Sequence, residues 1–484
     1  MPNRISRREF ARRLTSTAVV PALAGVPAFA AHGPTSQSTV EDRQSSKAGI
    51  LGMTTGEADL RIPPSSPAGT SWRYGLALPL QVGPETAAIF CNIRAGFHDF
   101  EAGNDVLLFS DASDIRAEHA LPINRNHKEP YPGTGQPSIM VKYPCRGGFV
   151  PWGAKLEEGS AHPHAGTGFS VTQVLAWPVG GPTAYRVSEH YEYLELHQYS
   201  YDGKNFRIVS TERIQENQLL PGWVLSNPPI RNAIPDGEDL LMGMAGGKVS
   251  LARWMANPEE AKVGAGLTRW RWGSEGWRPV SFVPITPLDG SFEPSVIRDL
   301  DGSLLFLARG REGPIRVWRS ADGGRTWKKI IHVVGESSAS VISLNQAADG
   351  TPYVATNLYD VLLRPIPERF RPKKNSEGVI RGAPVGREKL CLWPLNADRN
   401  GLEVPILVRD SEKEFGLPPS GGTWNVDHPS AMTVRLRDQQ WHNIMAMRIC
   451  DHGEVQAGCL PAPQTGTYVE EVISDGTAIP QWKF

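Results

Sequence analysis

Short apolar runs broken by glycine- and aspartate-rich turns recur along the chain. The clearest stretch runs from Phe292 to Lys329 (FEPSVIRDLDGSLLFLARGREGPIRVWRSADGGRTWKK). Ser295 to Arg298 is apolar-rich, Asp301-Gly302 is a hairpin turn signal, Leu304 to Ala308 is wholly apolar, and Ile315 to Arg319 alternates. A short apolar run between turns suits a strand buried on both faces. Weaker copies follow the same plan. Asn227-Pro228-Pro229 precedes Asp236-Gly237 and Leu240-Leu241-Met242. Ser340 to Leu344 precedes Asp349-Gly350 and Tyr353-Val354-Ala355. His428-Pro429-Ser430 precedes Asp438 and the run Ile444 to Arg448, and Gln136-Pro137 opens a further unit. Tyr191 to Tyr201 alternates as a strand with two distinct faces. Units start near residues 86, 137, 226, 292, 338 and 428, with long insertions at 140–190 and 365–425. Such repetition predicts an all-β, radial β-propeller of six blades, or seven if residues 180–206 form their own; a β-sandwich is the competing arrangement.

Composition narrows the choice. The 484 residues include 49 Gly and 41 Pro, about 19% together against a usual ~12%. Without a G-X-Y period they exclude collagen, and they would interrupt the helices of a bundle or coiled coil. Hydrophobic residues at 40%, with 14 Trp, exclude a disordered chain. With 50 Lys+Arg against 51 Asp+Glu, no attraction to nucleic acid or an anionic membrane is indicated.

The first thirty residues read as an address. Ser6-Arg7-Arg8-Glu9-Phe10 resembles the twin-arginine export signal of bacteria, and Arg12-Arg13 extend the basic region. Ala18 to Ala30 is apolar but carries two prolines and falls short of the roughly 20 residues a membrane helix needs. Ala28-Phe29-Ala30 matches an A-x-A cleavage pattern. The resemblance implies a bacterial or archaeal source and export of a folded protein to the periplasm or the exterior. Residues 1–30 are then a removable signal, 31–70 a linker and 71–484 a single propeller domain, soluble once the signal is removed, with 45 basic against 50 acidic residues in the mature chain. Five cysteines remain: Cys91, Cys145, Cys391, Cys450 and Cys459. Cys450 and Cys459 are spaced to bridge a hairpin, and no C-x-x-C pair offers a zinc site.

Ser320-Ala321-Asp322-Gly323-Gly324-Arg325-Thr326-Trp327 resembles the Asp-box, S-x-D-x-G-x-T-W, of sialidase-type β-propellers. The Asp bonds backbone N–H groups, Gly relieves positive-φ strain and Trp packs between sheets. Tyr199 to Phe206 is similar, with Phe in place of Trp. The resemblance implies a six-bladed sialidase-type fold, in which a Glu at an inner-strand start assists a Tyr nucleophile and an Arg after the paired strand joins a triad that clamps the substrate carboxylate. Glu293 and Arg309 match those positions, and Arg448 is a second clamp candidate. The blade starts Glu293, His428, Asn227 and Gln136 are all polar residues directly before Pro; the last three are candidates for substrate binding. Arg61-Ile62-Pro63 matches the family's R-I-P signature, but no Asp-box follows it.

A second rich region holds His162, His164, His190 and Tyr191, near glycine-rich Arg146-Gly147-Gly148 and Gly166-Thr167-Gly168. His and Tyr there suit the base and acid of a uronate lyase, a chemistry also found on propellers. His162 and His164 give only two metal ligands, so no metal and no cofactor is expected. The first expectation is therefore a sialidase-like glycoside hydrolase acting on acidic carbohydrate. A polysaccharide lyase for uronate-containing glycans and a non-catalytic glycan- or protein-binding propeller are the alternatives.

Overall fold

A computed structural model describes residues 54–61 and 72–484, apart from the segments 96–102, 116–119, 125–134, 136–137, 144, 179–190, 227–229, 250–262, 311–314, 334–339, 358–372, 375–379, 382–386, 420–421 and 452–463. The expected signal peptide lies outside the described residues, as does Cys459, the expected partner of Cys450.

Six antiparallel sheets form the blades, each running from an inner to an outer strand. Blade I is Trp72–Gly83, Thr86–Ala95, Gly103–Phe109 and Ala120–Pro122. Blade II has a split inner strand, Ser138–Lys142 and Arg146–Val150, then Thr167–Pro178, Tyr191–Tyr201 and Phe206–Ile214. Blade III has Val224–Ser226 and Ile234–Asp236, then Asp239–Gly247, Val263–Gly273 and Gly276–Pro284. Blade IV is Phe292–Arg298, Leu304–Arg309, Ile315–Ser320 and Lys328–Val333. Blade V is Ser343–Gln346, Pro352–Asn357, Lys389–Pro394 and Ile406–Asp410. Blade VI is Trp424–Arg435, Trp441–Asp451, Gly466–Ile473 and, from the other end of the chain, Thr54–Arg61. The first unit begins at Trp72, ahead of the expected 86, and residues 191–201 are the third strand of blade II, so the described residues form six blades and not seven.

Ring closure comes from the N-terminal strand. Thr54 pairs opposite Ile473 and Arg61 opposite Tyr468, so the first described strand completes the last blade. Residues 54–61 are therefore part of the ring and not of a linker. Sharing one sheet between the two ends protects a strand edge that would otherwise be open.

The strand period divides the core between neighbouring blades. In blade IV, Leu304, Phe306 and Ala308 pack with Leu241 and Leu267 of blade III. The alternate Leu305 and Leu307 pack with Leu344 and Val354 of blade V. This explains the uninterrupted apolar run: both faces are buried because each contacts a different sheet. In the same way Tyr199 faces blade I, while Leu194 and Leu196 face blade III.

Residues 230–233 plug the hub. Ile230 N–H donates to Pro294 O (3.0 Å), and Arg231 donates to Val296 O (2.9 Å) and Ala431 O (3.2 Å). Asn232 donates to Pro79 O (3.0 Å) and accepts from Gly147 N–H (3.1 Å). Gly147 and Gly148 permit this approach, since a Cβ on Gly148 would lie 2.8 Å from that of Ala233. Gly148 thus makes room for the hub loop.

The turn at 320–327 lies between the two outer strands of blade IV. Asp322 accepts from Arg325 N–H (3.0 Å), Thr326 N–H (2.9 Å) and Thr326 Oγ1 (2.6 Å), and these bonds hold its carboxyl well below the usual range. The Trp327 indole N–H donates to Gly324 O (2.9 Å), and its ring meets Phe306 edge-on. Asp202, in the corresponding turn of blade II, accepts from Lys204 N–H (3.0 Å) and Asn205 N–H (2.7 Å).

Candidate active site

Two inner strands carry the same backbone device in their first halves. Glu293 has φ 53° and His428 φ 56°, left-handed values in non-glycine residues. Each precedes a proline, and the pairing register slips at both, between Phe292 and Pro294 and between Asp427 and Ser430. A bulge re-aims a side chain, and holding a non-glycine residue in this region costs on the order of 1 kcal/mol. The two residues come from blades IV and VI, yet each lies within electrostatic reach of the other, and Arg146 of blade II lies within reach of Glu293. The charged groups therefore gather at the axial end where the inner strands of blades IV and VI begin.

Pairing among these groups is uneven. Arg309 donates to Glu293 at 2.8 Å. Arg448 grips Asp427 through Nε and Nη2, each at 2.8 Å, and Arg387 adds a third contact at 2.7 Å. His428 Nδ1 meets the same carboxylate at 2.8 Å. Arg146, only 2% exposed, forms no ion pair among the described residues, and its Nε has no hydrogen-bond acceptor. Burial lowers its pKa to about 10, while the charge of Glu293 acts the other way. Among the described residues, the guanidinium groups of Arg146, Arg309, Arg387 and Arg448 lie around the carboxylates of Glu293 and Asp427. That leaves an excess of buried positive charge with capacity for an anion.

Protonation states follow from the same contacts. Burial alone would raise the carboxyl of Glu293, but the guanidinium groups of Arg309 and Arg146 act against it, and the group is held below its usual range. Asp427 is fully buried and is held well below its usual range, with Arg448, His428 and Arg387 overcoming burial. His428 is shifted down by burial, with Arg448 adding to the shift and Asp427 and Glu293 opposing it. A carboxylate only accepts, so Nδ1 carries the ring proton toward Asp427, and Nε2 of the neutral ring keeps its lone pair.

Four expected site residues thus converge: Glu293, Arg309, His428 and Arg448. Sequence reasoning missed Arg146, Asp427, Arg387 and Arg231. The triplet Asp427-His428-Pro429 carried a signal for Asp427, whereas Arg146 is separated from its partners by many residues and nothing local marks it. Gln136, His190 and Asn227 lie outside the described residues. Tyr191 begins the third strand of blade II, opposite Ala176.

His162 and His164 do not join this group. The His162 ring donates from Nε2 to Gly237 O (3.2 Å) and accepts at Nδ1 from His164 N–H (3.1 Å), so both nitrogens are occupied. His164 stacks on Trp272 at 5.5 Å. Gly237 belongs to the turn after Ile234–Asp236, and the neighbouring Asp236 pairs with Arg298, the last residue of the inner strand that Glu293 begins. Five residues of strand separate Glu293 from Arg298, about 17 Å at 3.4 Å per residue. These histidines, candidates for the base or acid of a uronate lyase, thus lie at the opposite mouth from Glu293, where His162 braces a turn. There, residues of blades II to V and the C-terminal segment enclose a cavity of about 520 Å³.

Six blades in a closed ring, with polar groups gathered at one axial end, define a β-propeller of the sialidase type. Among solved structures, NanB sialidase from Streptococcus pneumoniae, in complex with 2-[(3-chlorobenzyl)ammonio]ethanesulfonate, aligns with TM-score 0.50 and 11% identity, covering 87% of this chain and 72% of its own. A protein of unknown function from Dyadobacter fermentans aligns with TM-score 0.49 and 13% identity, covering 87% and 99%. Trypanosoma rangeli sialidase aligns with TM-score 0.46 and 10% identity, covering 87% and 59%. At 11% identity the likeness to NanB sialidase establishes the fold alone. No protein-family model matches the chain, and no curated protein matches it in sequence.

Proposed function

We propose that the protein is an exported, sialidase-like enzyme that hydrolyses glycosidic bonds of carboxylate-bearing sugars at the axial site. The observation that carries this reading is the buried Arg146 guanidinium, without an ion pair among the described residues, beside the Glu293–Arg309 pair. Burying an unpaired guanidinium is costly, and a planar carboxylate presented by the substrate offsets that cost by accepting parallel hydrogen bonds. Arg309 and Arg448 are each engaged by a protein carboxylate. They act in this reading as fixed walls of the anion site, and Arg146 is the arm that takes the substrate. Glu293, ionised and paired, holds Arg309 in place and is not a group that protonates a leaving oxygen.

The test is a panel of aryl glycosides of sialic, glucuronic and galacturonic acids, set beside their neutral counterparts. Release of aglycone from acidic members alone supports the proposal. Equal release from neutral members removes the carboxylate from recognition. An unsaturated product absorbing in the near-ultraviolet from uronate polymers would move the protein to the polysaccharide lyases.

A further inference from the structure

Within the acidic-sugar reading, on which this inference rests, we infer that His428 is the proton-accepting group of the axial site and that Asp427 positions it for that task. His428 occupies a left-handed conformation at a bulge, a position that asparagine or glycine would hold at lower cost. Its Nδ1 is fixed at 2.8 Å from a carboxylate that two arginines hold from other directions. That arrangement sets the tautomer, keeps the lone pair on Nε2 and prevents the ring from turning over. Among the described residues Nε2 has no hydrogen-bond partner, and the side chain is 13% exposed, so the basic nitrogen is left for a ligand.

The charged surroundings agree. Asp427 and Arg448 face the ring from its own blade, Glu293 reaches it from blade IV, and Arg387 approaches from blade V behind Asp427. The base is neutral, and it is flanked by an anion that favours the imidazolium formed once a proton arrives.

In the hydrolytic step a water O–H bond breaks and its proton passes to the Nε2 lone pair. The water oxygen bonds to the anomeric carbon as the glycosidic C–O bond breaks. The leaving oxygen keeps that electron pair and takes a proton from solvent, and the imidazolium later returns its own proton to solvent. The sum is glycoside plus water giving free sugar plus alcohol.

The experiment is nitrogen-15 NMR of the full chain labelled at histidine, near neutral pH, with and without D-glucuronate, together with pH–rate profiles of native protein and His428→Asn. Asparagine tolerates the left-handed backbone, so this variant keeps the bulge. The expected result is an unprotonated Nε2 on His428 that moves when glucuronate is added. Turnover should fall by about 10²–10⁴-fold in His428→Asn, with loss of the acidic limb of the profile. A proton on Nε2, or an acidic limb unchanged in the variant, overturns the role of His428 and leaves the acidic-sugar reading standing. An unprotonated Nε2 with no response of any site histidine to glucuronate, and no turnover of acidic glycosides by native protein, overturns that reading and the inference with it.

Discussion

The two mouths of the channel are built from opposite ends of the same inner strands, yet they differ in what is left unsatisfied. At the mouth marked by Glu293 and His428 the backbone is strained, and Arg146 is buried without an ion pair among the described residues. At the other mouth, Arg298 and Arg269 pair with Asp236, and Arg399 bonds Asp299 at 2.8 and 3.0 Å. His442 there lies between Asp438 (2.9 Å) and Glu471 (2.8 Å). A cavity of about 520 Å³ belongs to this second mouth. The cavity and the unpaired buried charge therefore mark opposite ends of the axis. We assign function to the end with unmet hydrogen-bonding capacity, because a fully paired surface offers a charged ligand little in exchange for its hydration.

The contrast can be broken or sharpened by substitution. The largest effect is expected from Asp427→Ala, which removes the buried carboxylate that Arg448 and Arg387 share. Breaking this buried pair should lower unfolding stability by about 3–5 kcal/mol in denaturant titration and abolish turnover. Next comes Arg146→Met. It should lower kcat/KM on acidic glycosides by roughly 10²-fold or more, as loss of a buried charge-assisted contact implies. The melting temperature should stay level or rise, since the variant no longer buries an unpaired guanidinium. A clear loss of stability would instead make Arg146 a structural residue.

Smaller effects are expected at the paired mouth. His442 is raised to about 9, chiefly by its hydrogen bond to Glu471. A group whose folded pKa lies above its unfolded value stabilises fully below the unfolded value of about 6.5, and that contribution fades as pH climbs through the folded value. The melting-temperature gap between native protein and His442→Gln should thus be widest near pH 6 and close by pH 10. Smallest of all, His162→Gln should keep turnover within about twofold and cost on the order of 1 kcal/mol, the worth of a turn-bracing hydrogen bond. A large loss of activity there would bring the second mouth into the chemistry.

The ring was more legible in the sequence than its centre, and the reason is physical. Leu304 to Ala308 and the Ser320 to Trp327 turn are local patterns, fixed by the strand period and by one carboxylate bonding its own neighbours. Glu293, Arg309, His428 and Arg448 were readable because each holds a repeated place within its blade. Arg146 lies in the second half of a split inner strand, and what marks it is the absence of an ion pair among the described residues in three dimensions, which no linear pattern encodes. His162 and His164 show the complementary case: two histidines one residue apart look chemical, and in three dimensions the His162 ring uses both nitrogens to brace a turn.

The central claim is that the axial guanidinium cluster receives a carboxylate through Arg146. Calorimetric titration of native protein and Arg146→Met with D-glucuronate and D-glucose tests it most directly. Measurable heat of binding is predicted for glucuronate with native protein alone, and none for glucose with either. Equal binding of glucuronate by Arg146→Met, or no preference for glucuronate over glucose, would contradict it.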